Sequence, residues 1–199
     1  MAQLTPGKEF EGLNMDLRLD QIDFRAGQTF EDKGGNVYAS ILAYKDARVD
    51  MQMLDDHVGQ GYWQNEYKRD SKGILQCGIG VWVENLNDWV WKWSNGTPSD
   101  FEAEKGEYSD ALKRAGFMWG IGRGLYDYPR LVCTLMEHEY TKDNNKIKLT
   151  YGFKPNSWMW TREERGNKFD LMAEQFIGQK KHFRLHTNPQ KAKKLRGEK

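Results

Sequence analysis

Residues 103–124, "AEKGEYSDALKRAGFMWGIGRG", constrain the fold more than any other stretch of the chain. On a 3.6-residue period Ala103, Tyr108, Ala111, Leu112, Ala115 and Trp119 share one face, which predicts a helix from about Phe101 to Trp119 lying on a sheet. Gly120, Gly122 and Gly124 follow at once, and glycine's access to positive φ ends a helix at little cost. Their order carries a functional exclusion. A phosphate-cradling glycine loop must follow a strand and open a helix, so that helix N-terminal amides face the anion. Here the glycines come after the helix, and no G-x-x-x-x-G-K-[ST] run exists elsewhere, so nucleotide hydrolysis is excluded.

The remaining pattern predicts an α+β domain. "IDFRA" (22–26) and "NVYASILA" (36–43) read as strands, and from about Lys45 a helix follows with Ala47, Met51, Leu54 and Val58 as its buried stripe, closed by Gly59 and Gly61. "ILQCGIGVWVE" (74–84) and "DWVWKWS" (88–94), separated by "NLN", predict a hairpin. "LVCTLMEHEY" and "KIKLTYGF" flank "TKDNN" as a second hairpin. "REERGNKFDLMAEQFIG" predicts a late helix on Phe169, Leu171, Met172 and Phe176. At 199 residues one core domain over 1–178 is expected, with aromatics, 13% of the chain, supplying much of its core.

Net charge is only +1, but its distribution is uneven. Residues 179–199 hold eight basic side chains against Glu198, a charge of +7, which leaves −6 on residues 1–178. Such a segment, nearly without apolar residues after Phe183, predicts a flexible basic tail that solubilises the chain or tethers it to phosphates. Two cysteines, Cys77 and Cys133, are too few for a disulfide framework or a four-thiolate zinc site and read as buried free thiols. No apolar run of membrane-spanning length and no signal-peptide pattern occurs, so a cytoplasmic protein without membrane association is expected.

Catalytic patterns are sparse. His57, His138, His182 and His186 lack metalloprotease spacing, and no serine sits in a nucleophile elbow. Asp55, Asp56, Glu102 and Glu104 are candidate ligands for a divalent metal in phosphodiester cleavage, although helical acidic pairs more commonly form a solvated surface. Glu137, His138 and Glu139 would alternate faces on a strand and so not converge.

Basic residues follow a clearer pattern. Lys105, Ser109 and Lys113 step along the predicted helix at spacing 4 with Arg114 beside them, either as a solvated face or as a rail that positions phosphates without reading bases. Trp89, Trp91 and Trp93 alternate and share one face of a strand, where they stack on bases or, as the half-polar opposite face favours, pack on the long helix or a neighbouring subunit. Tyr62, Tyr67, Lys68 and Arg69 are placed in the turn after the first helix, as an exposed loop or a second DNA path.

Several motifs in order resemble those of a known family. "YKDARVDMQMLDDHVGQGYWQNEY", the Trp-rich hairpin, and "EAEKGEYSDALKRAGFMWGIGRGLYD" are similar to the Rad fifty-two superfamily of single-strand annealing proteins, in its phage Sak and bacterial DdrA-like branch. The likeness covers roughly residues 20 to 130 and is strongest over 100 to 126. It implies a bent antiparallel β-β-β-α core that assembles into a homo-oligomeric ring or helical filament. Single-stranded DNA would run in its basic groove with bases outward for pairing, in recombination or strand-break repair, in a bacterial host cell for a phage gene. On this likeness Arg48 matches the first-helix Arg, Lys105 the helix-start Lys, Lys113 and Arg114 the groove pair, and Arg123 the G-I-G-R signature. Phe117 stands where eukaryotic members have a further basic residue. The implied protein is not an enzyme and uses no cofactor; a host single-strand-binding protein is a further candidate partner. A metal-dependent nuclease and a passive single-strand-binding scaffold are the alternatives.

Overall fold

The structure, a computed structural model, describes residues 8–97, 103–144, 146–166 and 168–197. In chain order its regular elements are strands β1 (Asp23–Glu31) and β2 (Val37–Tyr44), helix α1 (Ala47–His57), strands β3 (Trp63–Arg69), β4 (Leu75–Val83) and β5 (Asp88–Asn95), and helix α2 (Ala103–Trp119). Strands β6 (Leu131–Thr134), β7 (Tyr140–Asp143), β8 (Lys146–Leu149), β9 (Met159–Arg165), β10 (Lys168–Ile177) and β11 (Lys180–His186) follow, then helix α3 (Pro189–Arg196). The fold is α+β, and every strand pairing is antiparallel. Among the described residues, no helix is long and apolar enough to cross a membrane.

The chain divides into two compact units, one from residues 1–21 and 45–126, the other from 22–44 and 127–199. The strands expected to open the core, β1 and β2, belong to the second unit because β2 pairs with β6, from Tyr38↔Thr134 to Ile41↔Leu131. That pairing joins segments some ninety residues apart, and no local periodicity encodes it.

The first unit is built on the sheet β3-β4-β5, with β4 in the centre. Strand alternation puts Leu75, Cys77, Ile79, Val81 and Val83 of β4 in the core, on the face where α2 packs. Removing Leu75, Ile79, Val81 and Val83 from water contributes about 1.5–3 kcal/mol each. Ala111, Leu112, Ala115 and Trp119 of α2 are buried with them, as expected, and Trp119 donates its indole N–H to the Ile79 carbonyl at 3.0 Å. Tyr67 meets Tyr108 at 4.9 Å between ring centroids, and Lys92 of β5 lies 4.1 Å from the Trp119 ring. Val90, Lys92 and Ser94 therefore form the helix-facing side of β5.

It follows that Trp89, Trp91 and Trp93 do not pack on the long helix, which corrects that half of the favoured expectation. They lie on the opposite face of the sheet, half-buried. Cross-strand pairing sets Trp93 opposite Gly78 and Trp91 opposite Gly80. A Cβ on Gly78 would stand 2.6, 2.7 and 2.7 Å from three ring atoms of Trp93, and one on Gly80 would stand 2.7, 2.9 and 2.9 Å from the same atoms of Trp91. Near-equal distances to three ring atoms mean that each indole lies face-down on a glycine; any side chain there would lift it.

Helix α1 starts where Asp46, in extended conformation, accepts a bond from the Arg48 amide, and it closes at Gly59 with φ +98. Its buried residues are Ala47, Asp50, Met53 and Leu54, whereas Met51 is 40% exposed, so the inward stripe is rotated from the one expected. Asp50 turns inward because Lys45 meets its charge there. Helix α2 ends at Gly120 as expected, with φ +105, and residues 98–102, including the expected helix start and Glu102, lie outside the described residues. Tyr67, Lys68 and Arg69 belong to β3 rather than to a loop.

In the second unit β1-β2-β6 and β9-β10-β11 form two three-stranded sheets, and β7-β8 form the expected second hairpin around Asn144, though its first strand is only Tyr140–Asp143. The expected late helix is instead the β9–β10 hairpin, turning at Gly166 with φ +61. Leu171 and Ala173 are buried at period 2, while Phe176 is 57% exposed; the helical spacing of 169, 172 and 176 was coincidental. Nor is the basic C-terminal segment a flexible tail over its described residues. Lys180–His186 pair with β10 as strand β11, and α3 follows with Asn188 as N-cap, Pro189 in its first turn and Gly197 as a left-handed C-cap. Leu185, His186, Arg184 and Ala192 are buried there. Pairing with a neighbouring strand supplies the burial that this segment cannot provide alone.

Candidate nucleic-acid interface

Helix α2 carries the basic residues with the most consistent geometry. Its sheet-facing side is apolar, and Lys105, Ser109 and Lys113 fall on another side at one-turn steps, with Lys105 exposed and Lys113 half-buried. The Lys113 ammonium has no carboxylate partner among the described residues. Arg114 is exposed and holds Asp110 at 2.7 Å, four residues earlier. An ion pair this exposed is worth under about 1 kcal/mol, so Arg114 is readily redirected to a phosphate.

The other candidates are distributed differently. Arg48 stands at the start of α1 with a 91% exposed side chain, 3.9 Å from Asp46. Arg123 lies just beyond α2 and donates from Nε to the Phe117 carbonyl at 2.7 Å and from Nη2 to that of Met118 at 2.9 Å. It satisfies helix-terminal carbonyls and complements the helix dipole, a structural task that leaves its charge at the surface. Lys92 donates to the same Met118 carbonyl at 3.0 Å, and burial followed by the neighbouring Arg123 lowers its pKa.

Lys68 and Arg69, paired in the sequence reading as one path, are separated by strand alternation. Arg69 faces α2, donates to the Gly73 carbonyl at 2.8 Å and holds Glu107 at 2.9 Å. Lys68 faces the other way, with its Nζ 3.5 Å from the Trp93 ring centroid.

Below the α2 rail lies a buried pair that sequence reasoning missed. Lys45 and Asp50 have side chains 1% and 0% exposed and form an ion pair; Lys45 also reaches the Lys113 carbonyl at 3.4 Å and lies 4.4 Å from the Phe117 ring. Burial pushes the Asp50 carboxyl up to about 6 against the opposing pull of Lys45 and Lys113, and burial lowers Lys45. Two glycines make room for it. A Cβ on Gly116 would overlap the Asp50 carboxylate, and one on Gly122 would come within 2.7 Å of Lys45 Cε. A glycine inside a helix, at Gly116 in the last turn of α2, is otherwise unfavourable by about 1 kcal/mol and is the available signal.

The acidic residues are not gathered. Asp55 accepts from the Trp63 indole at 2.7 Å, Asp56 from Gln52 at 2.7 Å, and Glu104 lies in the first turn of α2. Glu137, His138 and Glu139 form a 3-10 turn rather than a strand, and Glu139 is buried against Arg184 at 2.8 Å. Among the described residues, no group of three His, Cys, Asp or Glu side chains is placed to hold a metal ion. Comparison with models of known protein families and with curated proteins found no match.

Proposed function

We propose that this chain is an ATP-independent single-strand annealing protein of recombination or repair, acting as a homo-oligomeric ring or filament. The observation that carries the reading is the α2 rail: Lys105 and Lys113 present cations two turns apart on one side of the helix, the Lys113 ammonium in no ion pair among the described residues, and Arg114 adds a third about 100° further round, away from the sheet-facing side. The order of three antiparallel strands followed by a helix packed on them agrees with the core that the family resemblance implies.

The mechanism follows from charge. Cations that neutralise phosphates release condensed counterions, which gives affinity independent of sequence and leaves the pairing edges of the bases free. Self-assembly then lines up many short rails into one track, which explains how a chain of net charge +1 acts on a polyanion. Duplex formation is driven by pairing and stacking, so neither nucleotide nor metal is required. Arg48 and Arg123 are further phosphate contacts in this reading, with Arg69 on the same face of the sheet as α2 and Lys68 on the opposite face.

The test is annealing of complementary oligonucleotides without nucleotide or metal, with particle imaging in parallel. Acceleration by rings or spirals supports the proposal; a monomer that binds without accelerating leaves only passive binding, and cleaved products with magnesium favour a nuclease. Replacing Lys113 and Arg114 together by alanine is expected to lower the dependence of log affinity on log salt by about 1.4, two single-strand phosphate contacts. An unchanged slope in a folded double variant would remove α2 from the site.

A further inference from the structure

We infer that the face of the β3-β4-β5 sheet turned away from α2 is a stacking platform for unpaired nucleic acid bases, with Trp91 as its open tile. The inference rests on the single-strand reading above and adds a second surface with a different physical basis.

Four observations converge. First, Trp91 and Trp93 lie face-down on Gly80 and Gly78, so their other π-faces point away from the sheet. Second, the two rings are 5.7 Å apart and 23° from parallel. That separation is close to the two-residue repeat of a strand, about 6.6–6.8 Å, so they lie side by side as a floor rather than one above the other. Third, both ends of the floor are closed. Lys68 covers Trp93, with Nζ 3.5 Å from its centroid, while Trp89 packs edge-on with Trp82 at 5.7 Å and 69°. Trp91, between them, has Trp93 as its ring partner among the described residues. Fourth, the row beside this floor, Gln64, Glu66 and Lys68 on β3, is exposed and polar, which leaves that edge of the floor open to the sugar-phosphate of a stacked base.

An aromatic floor with one cation beside it selects the occupant. Lys68 has no carboxylate partner among the described residues, so its ammonium is available to a phosphate beside a stacked base. Glu66, two positions away on the same row, keeps the surface nearly neutral. Affinity here must come from base–indole stacking, which is indifferent to base identity and to salt, whereas the α2 rail acts through counterion release. The two surfaces are therefore separable by experiment.

The full chain and its Trp91→Ala, Trp91→Phe and Lys113→Ala/Arg114→Ala variants are titrated with an oligothymidylate and with an abasic deoxyribose-phosphate strand of equal length, across a salt series. Trp91→Ala is expected to lose about 5- to 100-fold in affinity for oligothymidylate, to bind the abasic strand unchanged and to keep its salt slope; Trp91→Phe recovers most of the loss. The α2 double variant loses affinity for both strands, with a smaller slope. Equal loss on both strands in Trp91→Ala, or no loss, overturns the platform. Dissociation of the DNA-free oligomer by Trp91→Ala makes this face a subunit contact and equally overturns it. Should Trp91→Ala fail to fold, the 19F resonance of Trp91 in the fluorotryptophan-labelled wild-type chain, assigned with Trp91→Phe, must shift with oligothymidylate and not with the abasic strand. A wild type that prefers neither strand defeats the platform alone; one that binds neither defeats the annealing proposal as well.

Discussion

Replacing Gly116 with alanine reverses the usual sign of a helix substitution. In an exposed helix interior Gly→Ala stabilises by about 1 kcal/mol, because alanine loses less backbone entropy. Gly116 is buried in α2, and its Cβ would overlap the carboxylate of Asp50, which is fully buried and paired with Lys45. Accommodating the methyl group displaces the carboxylate from its partner, and breaking a buried ion pair costs about 3–5 kcal/mol. The propensity gain offsets part of that, leaving Gly116→Ala destabilising by about 2–4 kcal/mol. Urea unfolding followed by tryptophan emission measures it as a drop in midpoint. The same substitution in a Lys45→Met/Asp50→Ala background, where neither charge nor carboxylate remains, is expected to stabilise by about 1 kcal/mol. A Gly116→Ala chain at least as stable as wild type would falsify the close approach of α1 and α2 at this point.

Other consequences can be measured independently. Because the folded carboxyl of Asp50 titrates at about 6 against an ordinary 3.8, the native state binds its proton more tightly than the unfolded chain. The contribution of Asp50 to stability is then present below pH 4 and lost as pH rises through 6, and Asp50→Asn must flatten the pH dependence of the urea midpoint in that window. Burial raises both Cys77 and Cys133 to about 11, so neither thiol of the native chain should be alkylated by iodoacetamide at neutral pH, while both react in denaturant; fast native labelling of either contradicts the packing around it. Arg69→Ala leaves Glu107, 8% exposed, without its partner, and should destabilise the fold by about 1–2 kcal/mol, whereas Lys68→Ala leaves Tm nearly unchanged; equal effects from both would contradict their placement on opposite faces of β3.

Local pattern was enough to find α2, its glycine stop and the β4–β5 hairpin, because each is defined by residues close in the chain. Apolar spacing specifies a helix face, and glycines beyond it relieve the strain of ending it. The same reading placed Lys105, Lys113 and Arg114 on one helix with no knowledge of its surroundings. It failed where the outcome depended on partners far along the chain. Phe169, Met172 and Phe176 suit a helix by spacing, yet the residues around them pair with β9 and β11; the C-terminal basic run reads as a tail by itself and becomes a strand only against the edge of β10.

Which face of β5 meets α2 was equally out of reach, since alternation says that Trp89, Trp91 and Trp93 go together but not which side of the sheet they occupy. Gly78 and Gly80, by accepting flat indoles on the side away from α2, show where those rings went. The Lys45–Asp50 pair belongs with these cases, because a buried charge is tolerable only beside its counter-charge, and that proximity exists only after α1 and α2 have packed together. Periodicity is a property of a segment and can be read along it, whereas burial, ion pairing and the choice of sheet face are properties of pairs of segments and come into being when the chain closes on itself.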